Sequence, residues 1–386
     1  MIEKFVYDIP TRILYGAGSL KDLHAEALPG TKALVAISQG GSMKRHGQLD
    51  ALVAELDAAG VAHVLYDQVR PNPTDANVDE AAALAVEEGC DFVVALGGGS
   101  VMDASKAIAL VATNPGNCWD YSPSATGGQK EPENVPLPLV CVTTSAGTGS
   151  EADMWSVISN DETQEKTGYP TMYPNISVVD SDLMMSVPPT FTAWQGMDAF
   201  FHAAESVINV NENVVGEMFA LKAIELITWA LPRAVADGSD KEARNAMAIA
   251  NTLAGYYMLC TSEHTMEHAL GSAHPELVHG AGLIMISHEY FGFFAERKAC
   301  EGQMGKMARA MGVEGATGGA GFMAALDKLV EDVGCAGLKM SDYGITREEL
   351  PATVRKYHEV WGGNNDADPL KLSDEDVLGI FERSYR

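Results

Sequence analysis

A parallel α/β domain followed by an all-α domain is the fold class that this sequence predicts. Three observations carry the expectation. Short β-branched runs alternate with helical patterns through the first half of the chain, which implies a parallel sheet with helices on both faces. Two of those runs end in glycine turns that open the next helix. From Phe191 on, strand-like runs almost vanish and helical periodicity takes over. The Pro188-Pro189 pair marks the change. The expected domains are 1–187 and 188–386, both within the usual size range.

The elements follow in order. "KALVAIS" (32–38) reads as a buried strand, and "SMKRHGQLDALVAELDAAG" (42–60) as one helix stopped by Gly60. "AHVLYD" (62–67) is a second strand and "NVDEAAALAVEEG" (77–89) a helix. "CDFVVALG" (90–97) is a third strand, "VMDASKAIALVA" (101–112) a helix, and "LPLVCVTT" (137–144) a further strand. Beyond the prolines, "WQGMDAFFHAAESVIN", "VVGEMFALKAIELITWALPRAVA" and "KEARNAMAIANTLAGYYMLC" all have helical periodicity.

The chain has 386 residues and a formal net charge of −27. That charge argues against nucleic acid or an anionic membrane surface as a partner. The acidic residues are scattered, and the acidity reads as a solubility feature. No apolar run approaches the length of a membrane span. "MIEKFVYDIPTRILYG" lacks the pattern of a signal peptide, and the six cysteines show no CxxC spacing. Reduced thiols in a cytoplasmic protein are expected.

The glycine turns are the first candidate site. One gives Gly40, Gly41 and Ser42, the other Gly97, Gly98, Gly99 and Ser100. Glycine lets the backbone approach a phosphate, and the following helix offers free N–H groups. "CVTTSAGTGSE" (141–151) adds small and hydroxyl residues at a third strand end. Neither turn reads GxGxxG, so the standard fingerprint with its ribose-binding carboxylate is absent. At the end of the first strand stand Ser38, the Gly40-Gly41-Ser42 turn, Lys44 and Arg45, with no carboxylate. This set would admit a 2′-phosphate, which favours NADP(H) over NAD(H). Lys44 and Arg45 read equally as a solvated first helical turn.

The second candidate is histidine-rich. Asp198 and His202 are four apart, as are His264 and His268. That spacing puts each pair on one helix face. An Asp at the edge of an apolar stripe needs a partner, and a metal ion would supply one. His279 lies beyond Gly271 and Pro275, where a turn brings it back. Asp198, His202, His264 and His279 make a mixed N/O ligand set suited to Fe(II) or Zn(II), and no thiolate is expected nearby. His268 is expected close to the ion without binding it, where a proton relay is useful. His274 and the remaining histidines (24, 46, 63, 288, 358) read as packing or surface residues. Trp155, Tyr256 and Tyr257 read either as substrate-site walls or as core.

These segments together resemble the iron-containing (group III) alcohol dehydrogenases across nearly the whole chain. "DIPTRILYGAGSL" is similar to the family's N-terminal strand, and "RPNPT" (70–74) to its PNPT segment. "GGGSVMDASKA" and "TTSAGTGSE" match its glycine and threonine motifs, and "GMDAFFHAAE" and "HTMEHALG…HG" its two ligand motifs. The resemblance implies a Rossmann-like dinucleotide domain and a helical metal-binding domain, an architecture shared with dehydroquinate synthase. It implies metal ligation by Asp198, His202, His264 and His279, and proton transfer at His268. It implies cofactor contacts at Asn72, Gly98, Gly99, Ser100, Asp103, Thr143, Thr144, Thr148 and Leu183. "GGSMKRHG" resembles the NADPH-dependent butanol dehydrogenase branch. A homodimer or larger oligomer is implied as well.

The expected activity is that of a metal-dependent alcohol dehydrogenase or aldehyde reductase acting on a small primary alcohol or aldehyde. The alternative is a dehydroquinate synthase-like or polyol-phosphate enzyme on the same fold. That reading needs a basic phosphate pocket, and residues 190–290 hold only Lys222, Arg233, Lys241 and Arg244.

Overall fold

The computed structural model describes residues 4–360 and 363–386. The chain forms two compact units. One is Asp8–Ser186, and the other is Val187–Arg386 together with the start of the chain as far as Tyr7. Tyr7 lies with the helical unit because its ring packs on Phe219 and Tyr257, with centroids 6.1 and 5.8 Å away.

The first unit is built on a six-stranded sheet in the order β1-β8-β5-β4-β2-β3. The strands are β1 (Arg12–Tyr15), β2 (Lys32–Ser38), β3 (Ala62–Val69), β4 (Phe92–Gly97), β5 (Leu139–Thr143) and β8 (Ile176–Val179). Every pairing is parallel. β6 (Trp155–Asn160) and β7 (Glu165–Pro170) form a separate antiparallel hairpin. The helices are α1 (Ser42–Arg45), α2 (Gln48–Ala58), α3 (Asp75–Glu87) and α4 (Gly99–Val111). Alternate residues of β2 face opposite ways, as the strand period requires. Leu34 and Ala36 join the core under α3 and α4, whereas Ala33, Val35 and Ile37 join the core beside α2.

The expected helix over 42–60 is two helices. Gly47 between them has φ +71, a left-handed conformation that ends α1 and restarts the chain as α2. Strand β8 and the β6–β7 hairpin add to the strands read from the sequence, and β1 falls in the segment likened to an N-terminal strand. From β2 the chain runs to the edge strand β3, then returns to the other side of β2 for β4 and onward. The strand order reverses between β2 and β4. In open α/β sheets, ligands bind at such a point, outside the carboxyl ends of the strands.

The second unit contains α5 (Pro189–Ile208), α6 (Val214–Ala236), α7 (Lys241–Gly255), α8 (Ser262–Ala273), α9 (His279–Glu296), α10 (Glu301–Ala310), α11 (Gly319–Asp332), α12 (Leu350–Glu359) and α13 (Asp374–Ser384), with no strand among its described residues. The segment 241–260 does not stay helical to its end: α7 stops at Gly255. Among the described residues, no helix is long and apolar enough to cross a membrane.

Candidate functional site

The helical unit brings Asp198, His202, His264 and His279 to one point. Asp198 and His202 stand one turn apart on α5. His264 comes from the first turns of α8, and His279 opens α9. Two glycines let α9 start there. A Cβ on Gly280 would overlap the carbonyl oxygen of Trp194 on α5, and one on Gly282 would meet Glu267 Cγ at 2.7 Å. The Nε2 atoms of His202, His264 and His279 lie 3.7, 3.6 and 3.5 Å from Asp198 Oδ1.

Asp198, His202 and His264 are buried, and Asp198 Oδ1 and His264 Nε2 have no hydrogen-bond partner. Buried polar atoms left this way are costly. Four N/O atoms about 2.0–2.1 Å from one ion stand about 3.4 Å apart when tetrahedral. The three spacings to Asp198 Oδ1 and the orphaned atoms therefore fit a metal ion, with Asp198, His264 and His279 in one compact group and His202 beside His264. Burial pushes the Asp198 carboxyl up, but the charges of His202, His279 and His264 hold it well below the usual range.

Carboxylates fix two of the rings from behind. His264 Nδ1 hydrogen-bonds Glu205 of α5, and His279 Nδ1 hydrogen-bonds Glu267 of α8. A carboxylate accepts the Nδ1–H, which leaves the Nε2 lone pair aimed at Asp198. The rings of His202 and His264 stack at 4.4 Å. His268 lies next to this group, half-buried, its ring 5.3 Å from that of His279. His274 is elsewhere, paired with Glu349 at 2.5 Å.

One expectation is overturned. Cys260 groups with His202 and His264, its sulfur within 4.8 Å of their ring nitrogens. The chain past Gly255 leaves the helix and carries the thiol back to the cluster. Burial raises the Cys260 thiol, and the two imidazoles bring it below its ordinary value. Glu205, Glu267 and Cys260 were missed because a single carboxylate on a helix, or a single thiol in a loop, carries no spacing signal.

The sheet unit gathers most of the glycine-turn residues at the strand ends. α4 begins at Gly99 with Gly98 as its N-cap and no side-chain cap, so its first N–H groups are available for a phosphate. The β4 turn presses against the loop after β5. A Cβ on Gly98 would lie 2.8 Å from Ser145 Oγ, and one on Gly99 would overlap Thr148. Thr144 N–H donates to Gly97 O at 3.0 Å, and Thr143 Oγ1 donates to Ser145 O at 3.0 Å. Ser100 sits in the first turn of α4. Gly98, Gly99, Ser100, Thr143, Thr144 and Thr148 thus form one group. Ser38 ends β2, next to β4 in the sheet. Gly40 and Gly41 follow, and Ser42 opens α1 with Gly41 at φ +68. Leu183 is tied to α2, its carbonyl accepting from Gln48 Nε2 at 2.5 Å. Asn72 lies in the loop after β3 with φ +50.

Asp103 lies one turn on from Gly99 along α4. Its oxygens accept from Ser150 Oγ at 2.6 Å and from Val157 N–H at 3.0 Å, which braces α4 against the hairpin. Lys106, one turn on, is fully buried and donates to Asp153, Ser150 and the Trp155 carbonyl. Trp155 itself opens β6, and Tyr256 packs on Phe219 at 5.2 Å.

Lys44 and Arg45 are not simply solvated. Arg45 Nη1 donates to Gly40 O at 2.7 Å. Lys44 Nζ pairs with Asp67 Oδ2 at 2.5 Å. The neighbouring strand β3 therefore brings a carboxylate to this edge, where the first strand has none.

The pattern described as "Iron-containing alcohol dehydrogenase" matches residues 10–181, and that of "Fe-containing alcohol dehydrogenase family, C-terminal" matches residues 192–385. The chain is 39% identical over 287 residues to a choline dehydrogenase of Bacillus subtilis, covering 72% of this chain and 70% of that one. It is 28% identical over 395 residues to a probable NADH-dependent butanol dehydrogenase of the same organism, covering 99% and 100%. An archaeal halo-thermophilic alcohol dehydrogenase from a Red Sea brine pool superposes with a TM-score of 0.93 at 32% identity, covering all of both chains.

Proposed function

The chain belongs to the iron-containing alcohol dehydrogenase family, and from that premise we propose a metal-dependent alcohol dehydrogenase or aldehyde reductase that moves a hydride between NAD(P)(H) and a small primary alcohol or aldehyde. The convergence of three imidazole Nε2 atoms on Asp198 Oδ1 is the observation that carries this reading. Asp198, His202, His264 and His279 would hold the ion, Fe(II) first and Zn(II) as the alternative. When bound, the ion supplies Lewis-acid polarisation of a substrate oxygen, and the nicotinamide gives or takes the hydride. Glu205 and Glu267 keep His264 and His279 in the Nδ1–H tautomer. His268, beside the cluster but outside its centre, carries the alcohol proton to or from solvent. The choline and butanol dehydrogenases among the relatives support a small primary alcohol as substrate.

NADP(H) is proposed as the preferred cofactor. Ser38 ends the strand without a carboxylate, and Lys44 neutralises Asp67, the acid that would otherwise repel a 2′-phosphate. The nucleotide contacts are assigned to the strand-end group, with Ser38, Gly40, Gly41 and Ser42 toward the ribose and Gly98, Gly99 and Ser100 toward the phosphates. We assign the chain to the cytoplasm as a homodimer or larger, which light scattering on the purified protein tests for assembly.

The test uses protein purified without oxygen and reloaded with Fe(II). Oxidation of NADPH and NADH is followed side by side with short straight-chain aldehydes. Metal-dependent oxidation, faster with NADPH, is expected. No oxidation of either cofactor with metal bound would overturn the reaction, and equal rates would overturn the preference.

A further inference from the structure

Behind His264 runs a buried chain of hydrogen bonds that ends on Asp368. Glu205 Oε1 meets His264 Nδ1, and Glu205 Oε2 accepts the backbone N–H of Thr261. Thr261 Oγ1 lies 2.9 Å from Glu205 Oε2 and 2.7 Å from Tyr290 Oη. Tyr290 Oη lies 2.7 Å from Asp368 Oδ1. Asp368 also accepts from Ser262, through its N–H at 3.2 Å and through its hydroxyl. All of these side chains are buried.

Counting hydrogens decides how such a chain is ordered. Three oxygen–oxygen contacts link Glu205 to Asp368 through two hydroxyls. Each contact needs one hydrogen, and Thr261 and Tyr290 carry one each. The third must come from a carboxyl group at one end. Glu205 Oε2 already accepts the backbone N–H of Thr261, which places it as the accepting end of the chain. Thr261 then donates to Glu205, Tyr290 donates to Thr261, and the remaining hydrogen sits on Asp368.

We propose that Asp368 is a positioning residue for His264: it stays a neutral carboxylic acid and donates through Tyr290 and Thr261, which orders the chain that holds Glu205 against the Nδ1 side of the ring. This inference rests on the reading of His264 as a metal ligand. Burial pushes the Asp368 carboxyl up to about 7, which favours the neutral form below that pH. The acid never touches the ion; it acts through the tautomer and aim of one imidazole.

Three variants test it, with the affinity for Zn(II) read by competition against a chromophoric chelator and folding checked by circular dichroism. An Asn at 368 can donate to Tyr290 and accept from Ser262 as a neutral acid does, but it cannot mimic a carboxylate anion. Asp368→Asn is therefore expected to hold Zn(II) within about threefold of the wild type. Asp368→Leu and the isosteric Tyr290→Phe break the chain and should weaken Zn(II) binding by about tenfold or more. The rescue by Asn distinguishes a proton-ordering role from simple packing. If Asp368→Asn loses as much affinity as Asp368→Leu, the acid is ionised and the proposal is overturned. If folded Tyr290→Phe binds Zn(II) like the wild type, the chain does not position His264 and the proposal is likewise overturned. A wild-type chain that holds no Zn(II) overturns the metal reading itself, and this inference with it.

Discussion

Glu267 and Lys44 are single side chains whose partners set what they do. Glu267 is buried and holds Nδ1 of His279. Glu267→Gln keeps the shape but loses the anion that fixes the tautomer. Metal affinity is expected to fall about 10–100-fold, read by chelator competition on folded protein. Lys44 is half-exposed, so its pairing with Asp67 is a weak bond by itself. Its consequence is the charge at the ribose edge. Lys44→Ala leaves Asp67 bare, and KM for NADPH should rise about three- to tenfold while KM for NADH changes little. The difference should shrink as salt is added, since both groups face solvent. Most of the residues that form the histidine cluster were legible because they come in pairs four apart on apolar helices. Asp67 was not, because it belongs to a different strand from the turn it faces. Asp103, expected to contact the cofactor, accepts hydrogen bonds from Ser150 and from Val157 N–H.

At the scale of elements, glycine decides how closely helices and turns approach. α9 opens against α5 at Gly280, where a Cβ would overlap backbone that cannot rotate away. Gly280→Ala is expected to cost about 1–3 kcal/mol of stability. It should also weaken metal binding, because His279 is its neighbour in the same turn. A thermal melt and a chelator competition measure the two effects, and unchanged values of both would show that α9 can shift freely. Buried strands of Val, Ile and Ala were readable from composition and matched closely; β2 spans Lys32–Ser38 as expected. The β6–β7 hairpin was not readable, since β7 is the polar segment "EKTGYP". Its polar residues are buried by specific partners instead: Ser124 Oγ donates to Glu165 at 2.8 Å. The break at Gly47 also escaped, because a glycine inside a helical pattern signals a stop only once its φ is known.

For the molecule as a whole, charge and protonation set the conditions of stability. A net charge of −27 repels itself in the folded chain. Salt screens that repulsion, so Tm should rise between about 0.01 and 1 M NaCl. A flat or falling Tm in calorimetry would mean that local ion pairs already compensate the acids. Asp368 adds a pH dependence of known sign. Burial, only partly opposed by the hydrogen bonds from Ser262, raises its pKa from 3.8 to about 7. The folded chain then binds a proton that the unfolded chain releases. This contribution is complete below the unfolded value and is lost as pH climbs through about 7. Wild-type stability relative to Asp368→Asn should therefore fall between about pH 4 and 7, as read from denaturant midpoints. The two-part class, the strand-end glycine turns and the helical faces that carry Asp198, His202, His264 and His268 were readable in the residues alone. Each of these is a local property of residues a few positions apart. It took the folded chain to bring three imidazoles to one carboxylate oxygen, to return Cys260 to them, and to set Asp67 and Asp368 where they stand. Those are meetings of residues distant in the chain, fixed by packing and buried hydrogen bonds, and no periodicity in the sequence encodes them.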